Sequence, residues 1–272
     1  MINPLVSFII PYFNAGSTIQ ETIDSIFNQS YPNFDIWLIN DGSTDPLSIE
    51  KLKTFEGNEK IHVLHQENAG PSSARNAAIV KSTTDFYVLI DSDDLIEEDA
   101  ISFALQRIEG YDVLFGDCLY FGVRNDIKKQ RIPTLDEILI ANPIAVCTII
   151  RASVFDDVLF DPELNKLGLE DWEFWIHLFS KNYKFAYFEK IMFRIRVNDN
   201  SRTFQVANKN LEKTKKYIVQ KHAEILYVEY NRIFKENKDL KNVIDFKIGR
   251  FMLSPYRYLK QKIRKNGKIF NT

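Results

Sequence analysis

Two hydrophobic periods alternate along the N-terminal part of the chain. Short runs rich in Val, Ile, Leu and Phe over residues 5–10, 34–39, 60–65 and 86–90 have the length and composition of buried strands. Between them, residues 17–28, 47–55, 72–81 and 95–107 carry helical patterns; in the first, Ile19, Ile23, Ile26 and Phe27 share one face. Repeated β-α units predict an α/β fold, a Rossmann-like, mainly parallel twisted sheet with helices on both faces. Ligands of such sheets bind outside the carboxyl ends of the strands. That rule lines up residues 11–14, 40–45, 66–70 and 91–94 along one rim.

The alternation is less regular from about 111 to 197. Residues 113–121, 146–150, 185–188 and 192–197 read as strands and 170–179 as a helix. From residue 205 the pattern is helical, basic and aromatic. The chain of 272 residues, 45% hydrophobic and 13% aromatic, has ample material for a packed core. No charged segment precedes the short 5–10 run, so no signal peptide is expected, and no apolar run approaches the ~18 residues of a membrane span. Cys118 and Cys147 stand in no metal-binding spacing and read as free, buried thiols.

Charge divides the chain more sharply than hydropathy does. Residues 205–272 hold 17 Lys and Arg against 6 Asp and Glu, a net +11, whereas residues 1–204 hold 18 against 31, a net −13. A C-terminal helical basic extension over 205–272 is therefore expected to do a separate job from the body.

The most informative positions are Asp91-Ser92-Asp93-Asp94, directly after the apolar run 86–90. Carboxylates this close repel one another and oppose folding unless something positive neutralises them. A divalent cation, Mg²⁺ or Mn²⁺, does so with one or two carboxylates and substrate phosphates. The competing reading is a solvated loop in which Asp94 caps the following helix.

Other rim residues add chemistry. Asn40-Asp41-Gly42-Ser43-Thr44-Asp45 is a polar turn in which Gly42 suits a left-handed backbone and Asp45 caps the next helix. Asp41 is not needed for that turn, and its carboxylate can accept the N–H of a base such as uracil. The loop from Gln66 through Asn68 and Gly70 opens a helix whose N-terminus favours phosphate. Arg75 on that helix can orient the acidic cluster or meet a pyrophosphate. Glu170 and Asp171 stand where a helix begins; a carboxylate beside Trp172 and Trp175 has a pKa usable for general base work, and the tryptophans themselves read as packing. Neither a GxGxxG nor a GxxxxGK[ST] pattern occurs, which argues against a dinucleotide fingerprint and a P-loop.

Taken in order, Val6 to Asn14, the 40–45 turn, the 66–76 loop, the 91–94 cluster and Glu170-Asp171-Trp172 resemble the motifs of family 2 glycosyltransferases, inverting enzymes of the GT-A fold. The resemblance covers about residues 4–200. It implies a glycosyltransferase domain over 1–204, with a nucleotide-sugar-binding half (1–110) and an acceptor-binding half (111–204). It implies that Asp41 holds the base of a UDP-type donor, with Pro11, Tyr12 and Asn14 in the same pocket. Asn68, Gly70, Arg75, Asp91 and Ser92 belong to the donor site, and Asp93 with Asp91 to a Mn²⁺ or Mg²⁺ that bridges the diphosphate. Asp171 is the implied catalytic base. Many relatives carry a histidine after a late Tyr-Arg strand; here Asn198 takes its place, and Asn198 or Arg202 is the implied diphosphate contact.

The same resemblance implies a nucleoside diphosphate sugar as donor and a glycan or lipid-linked acceptor. Residues 246–272, with eight Lys and Arg and no acid, interleave basic with aromatic and aliphatic side chains. Such a helix can lie on an anionic membrane surface, which predicts a cytoplasmic protein peripheral to the inner face of the cell membrane. The competing reading is a solvated helix packed by its apolar face. Nucleic acid is not an expected partner, since the body is strongly acidic. Two other classes remain open from the residues: a nucleotide-sugar-binding scaffold without turnover, and a nucleotidyltransferase, against which the lack of Lys or Arg in 11–16 argues.

Overall fold

A computed structural model describes residues 3–198, 206 and 208–236. Among these residues the elements follow one another as β1 (Val6–Tyr12), α1 (Ile19–Phe27), β2 (Phe34–Asp41), α2 (Pro46–Lys53), β3 (Ile61–Gln66), α3 (Pro71–Lys81), β4 (Phe86–Leu89), β5 (Leu95–Ile96), α4 (Ala100–Leu105), β6 (Val113–Gly122), β7 (Ile127–Lys128), α5 (Leu135–Ile140), β8 (Thr148–Arg151), α6 (Glu170–Ser180), β9 (Phe185–Val197), α7 (Asn208–Lys221) and α8 (Ala223–Glu236). Two short 3₁₀ turns, Ala152–Asp156 and Pro162–Asn165, lie between β8 and α6. A first compact unit runs to Asn210 and a second begins at Leu211.

One sheet contains all nine strands in the order β3-β2-β1-β4-β8-β6-β9-β5, with β7 added to β6. Strands β1 to β4 pair in parallel, as β-α-β crossovers require. The second half mixes directions: β8 is antiparallel to β4 and β6, and β9 is parallel to β6.

Strand phase fixes the two faces of the sheet. Val6, Phe8, Ile10 and Tyr12 point into one core with Ile36, Leu38, Val88 and Ile90, closed by Ile19, Ile23 and Ile26 of α1 and by Ala100, Ile101 and Ala104 of α4. On β1 and β2 the out-of-phase Ile9 and Ile39 are also buried, and α3, whose Ala74 and Ala78 are fully buried, packs against these two strands. A strand buried on both faces reads as a near-continuous apolar run, as 86–90 does outright and 5–10 does apart from the buried Ser7.

Two expectations are corrected. The helix expected over 95–107 begins only at Ala100, because Leu95 and Ile96 pair antiparallel with Arg194 and Phe193 of β9. The two strands expected over 185–188 and 192–197 are one strand, β9, interrupted by a bulge where the register with β6 shifts on either side of Asp117. Gly116 is required there, since a Cβ would collide with the Lys190 carbonyl oxygen. The polar pair Glu189-Lys190 breaks the apolar run in the sequence without ending the strand.

Candidate active site

β4 ends at Leu89, and Ile90 is still fully buried, so Asp91 to Asp94 emerge together at the carboxyl edge of the parallel strands. Their fates differ. Asp94 is buried; its Oδ1 accepts the backbone N–H of Arg196 at 2.8 Å, and the Cys147 thiol donates to its Oδ2 at 3.4 Å. Burial, with the negative charges of Asp93 and Asp91, raises its pKa well above the usual carboxylate range. Asp94 thus joins the cluster to β9 and caps no helix, which corrects the second reading of this residue. Arg196 reinforces the junction by donating to the Asp93 carbonyl (3.1 Å) and to Glu21 (2.9 Å).

Asp93 is half-buried, and burial together with the neighbouring charge of Asp91 outweighs the pull of Arg196, so its pKa rises to about 6. The Asp91 side chain is 43% exposed, with Oδ1 held by Arg75 at 2.7 Å. The Ser92 carbonyl accepts the Thr18 hydroxyl at 3.1 Å. Asp91 and Asp93 are hard oxygen donors set within electrostatic reach of one another. They fit a Mg²⁺ or Mn²⁺ shared with a phosphate ligand. Among the described residues no group of three or more His, Cys, Asp or Glu is arranged to hold a metal ion.

Arg75 explains how this cluster is held. Its guanidinium is only 2% exposed, donates to Asp91 and to Glu170 Oε1 (3.1 Å), and lies over the Phe160 ring at 5.2 Å. Of the two roles its position allowed, it takes the orienting one. The start of α3 is also engaged: Asn165 accepts the Ser72 N–H at 2.8 Å and donates to the Ser73 hydroxyl at 2.9 Å. That Ser72 N–H is therefore not presented to a phosphate.

At the other end of the rim, Asp41 is 4% exposed and accepts Gln66 Nε2 (2.7 Å) and the Ala69 and Gly70 N–H groups (2.8 Å each). It thereby fixes the turn that presents the exposed Asn68. Gly42 has φ of 71° and its missing Cβ leaves room for the Asn68 backbone nitrogen, 2.7 Å from where that atom would stand. Asn14, itself left-handed at φ of 50°, accepts the N–H groups of Thr44 and Asp45 at 2.9 and 3.0 Å. Asp45 caps α2 through Ser48, as expected. Half-buried Pro11 closes β1 beside this turn.

Tyr12 does not line a pocket with its ring. It is fully buried, in phase with Val6, Phe8 and Ile10, and its hydroxyl donates to the Ser48 carbonyl at 2.8 Å. The aromatic that the rim presents is Phe13, 48% exposed and out of phase with the core. The two-residue period of β1 already carried that distinction. Asn40 adds to the 40–45 turn: it accepts the Ser43 N–H at 2.9 Å and meets His65 at 3.1 Å.

Asp171 stands in the first turn of α6, after Gly168 and Leu169, both left-handed (φ of 82° and 64°). A non-glycine residue held so costs about 1–3 kcal/mol and clusters at functional sites. Asp171 Oδ2 accepts Asn142 Nδ2 and Oδ1 accepts the Trp172 N–H, both at 2.8 Å. Burial and the adjacent Glu170 charge raise its pKa to about 6, against the opposing effects of Asn142, Arg75 and the Trp172 N–H. Trp172 and Trp175 are buried packing residues, as expected. Because Glu170 shares Arg75 with Asp91, α6 and the 91–94 cluster are tied by one buried guanidinium. Asn198, at the end of β9, has a buried Oδ1 without a hydrogen-bond partner. Arg202 and the 246–272 segment lie outside the described residues.

The family profile of Glycosyl transferase family 2 matches residues 7–198, which contain every rim residue above except Arg202. The chain belongs to glycosyltransferase family 2. An uncharacterized glycosyltransferase of Rickettsia bellii (strain RML369-C) is 31% identical over 215 residues, covering 75% of this chain and 30% of its own length. Glycosyltransferase GlyA of Streptococcus pneumoniae is 28% identical over 207 residues, 72% of this chain and 26% of its own. The chain thus spans about a third or less of these curated relatives. Among solved structures, S. aureus TarS 1–349 in complex with UDP-GlcNAc superposes with a TM-score of 0.62 at 20% identity, over 92% of this chain and 71% of that one. The fold of this family 2 domain is of the GT-A type. Cys118 and Cys147 are free and buried in it, and no helix among the described residues is long and apolar enough to cross a membrane.

Proposed function

We propose that this family 2 domain is an inverting glycosyltransferase that moves a sugar, a hexose or N-acetylhexosamine, from a nucleoside diphosphate donor to an acceptor hydroxyl. The observation that carries it is the Arg75 bridge, which links the donor-side carboxylate Asp91 to the helix turn bearing Asp171. Uridine is the base we favour, in keeping with the UDP-GlcNAc bound by the structural neighbour TarS. Phe13 offers it an aromatic face, and the turns around Asp41, Asn68 and Asn14 offer it polar edges.

Asp171 removes the acceptor proton as the hydroxyl oxygen attacks the anomeric carbon. The bond from that carbon to the diphosphate oxygen breaks, and the nucleoside diphosphate leaves with the electron pair. A pKa of about 6 leaves Asp171 ionised at neutral pH and still basic enough to accept the proton. Asp91 and Asp93 are the residues to hold a Mn²⁺ or Mg²⁺, whose contribution when bound is to offset charge on the departing diphosphate. Asn198, whose buried Oδ1 has no partner among the described residues, is the further polar group we assign to this end of the site.

The acceptor we favour is a glycan or lipid-linked precursor at the cytoplasmic leaflet, approached through the basic 246–272 segment. Asp171→Asn is the decisive experiment: release of UDP from UDP-GlcNAc in the presence of acceptor extracts should fall by about 10²–10⁴-fold, the range for loss of a general base. Donor binding by calorimetry should change little. Wild-type turnover in that variant removes Asp171 from the base role.

A further inference from the structure

Asn142 is the partner of the Asp171 carboxylate that neither the charge pattern nor the strand-end rule singles out. It stands in the segment between α5 and β8 and reaches across 29 residues of sequence to donate to Asp171 Oδ2 at 2.8 Å. Its own Oδ1 is buried and has no hydrogen-bond partner among the described residues. Turning the amide over would set Oδ1 against an ionised carboxylate and forfeit the hydrogen bond to Asp171. The charge of Asp171 therefore selects the orientation, and the site tolerates a buried, unpaired acceptor to keep it.

The segment carrying Asn142 is anchored. A capping box between Thr134 and Glu137 fixes the start of α5. The Trp172 indole N–H donates to the Ile138 carbonyl at 2.6 Å, so α5 is tied to α6 one residue beyond Asp171. Asn142 and Asp171 thus approach from two elements locked to each other, which is the arrangement that orients a carboxylate rather than merely touching it.

We infer that Asn142 is the positioning residue of Asp171, fixing the direction of the carboxylate and favouring its ionised form. The inference rests on the reading of Asp171 as the base. Other groups acting on Asp171 are Glu170 on its own helix, which opposes ionisation, and Arg75 from α3 with the Trp172 N–H, which favour it. Asp91 acts through Arg75. The charged groups of α5 are Asp136 and Glu137 in its first turn, and Glu137 is paired with Arg131 at 2.6 Å. Asn142 is the one neutral side chain among these influences, and a donor to the charged form.

The test is a direct titration of the Asp171 carboxyl in the full chain, by infrared difference against Asp171→Asn. Asn142→Ala should raise its midpoint by about one pH unit, a tenfold gain in proton affinity. Asn142→Asp, which keeps the shape and substitutes a carboxyl for the amide donor, should raise it as well and serves if the alanine variant fails to fold. The acid limb of UDP release from UDP-GlcNAc should move by the same interval. A lowered melting temperature with an unmoved Asp171 midpoint in either folded variant overturns the inference and reduces Asn142 to a packing residue. Should Asp171→Asn retain turnover, the base reading fails, while the infrared shift still decides whether Asn142 controls the carboxylate.

Discussion

Arg75→Met is expected to destabilise this domain more than any other single change on the rim. The guanidinium is 2% exposed and serves two carboxylates at once, Asp91 at 2.7 Å and Glu170 at 3.1 Å. Removing one partner of a buried ion pair costs about 3–5 kcal/mol, because the remaining charge stays desolvated. The two carboxylates do not share that cost equally. Asp91, 43% exposed, regains water, so its part falls toward the ~0–1 kcal/mol of surface pairs. Glu170, 8% exposed, stays buried with this counter-charge gone. Methionine keeps much of the apolar stem against Phe160, so the loss is mainly electrostatic, roughly 3 kcal/mol. For a domain of this size that is a fall of about 6–12 °C in melting temperature. Urea unfolding followed by tryptophan fluorescence measures it, since Trp172 and Trp175 are buried in the helix that carries Glu170. Adding Glu170→Gln to Arg75→Met should recover most of the loss, giving a coupling energy of about 2 kcal/mol. Arg75→Lys should not rescue, because one ammonium cannot present separate donors along both arms of the fork. A loss below ~0.5 kcal/mol, or a coupling energy near zero, would refute the view that one buried cation ties the two halves of the site together.

The other tests are shorter. Asp41→Asn replaces an acceptor of three hydrogen bonds with an amide that must turn a donor toward Gln66, Ala69 or Gly70; about 1–3 kcal/mol of stability should be lost, and UDP affinity by calorimetry should fall with it. UDP binding that stays at wild-type strength would separate Asp41 from the donor pocket. Asp93→Ala should abolish the part of UDP binding that depends on Mn²⁺ and leave the metal-free part; an unchanged Mn²⁺ dependence removes Asp93 from the metal site. With Asp171 raised to about 6, its ionised, active form is lost as pH falls through that value. The acid limb of kcat/KM should therefore lie near 6 and vanish in Asp171→Asn. Flotation with anionic liposomes at low salt should carry the full chain, and not a chain lacking 246–272; equal flotation of both rules out the tail as the membrane contact.

The rim was legible because strand phase is local and repeated β-α units dictate parallel pairing. The mainly apolar runs at 5–10, 34–39 and 86–90 therefore end with their polar residues on one edge. What misled was also local. The family resemblance implies Tyr12 as a pocket residue, yet its phase with Val6, Phe8 and Ile10 buries it and hands the exposed position to Phe13. Asp94 matches a helix cap in sequence, but its partner is the Arg196 backbone, 102 residues away, and no local pattern encodes that bond. Arg75 was legible as a cation near carboxylates; which carboxylates it serves depends on Glu170, 95 residues on. Asn142 left no signal, since a single amide between two elements acquires meaning only from the carboxylate it faces.

These long-range bonds also explain how so many acids can share one edge. Three carboxylates buried at this edge have specific donors: Asp41 the turn that ends at Gly70, Asp94 the Arg196 N–H, Glu170 the Arg75 fork. The carboxylates left partly open, Asp91, Asp93 and Asp171, are the ones assigned chemical work. A carboxylate that is desolvated and under-supplied with donors gains most from a cation or a proton. Exposure and hydrogen-bond supply together distinguish these positions along the rim. They also place Asn142, which with the Trp172 N–H supplies the Asp171 carboxylate, at a point where a change in supply should shift its proton affinity.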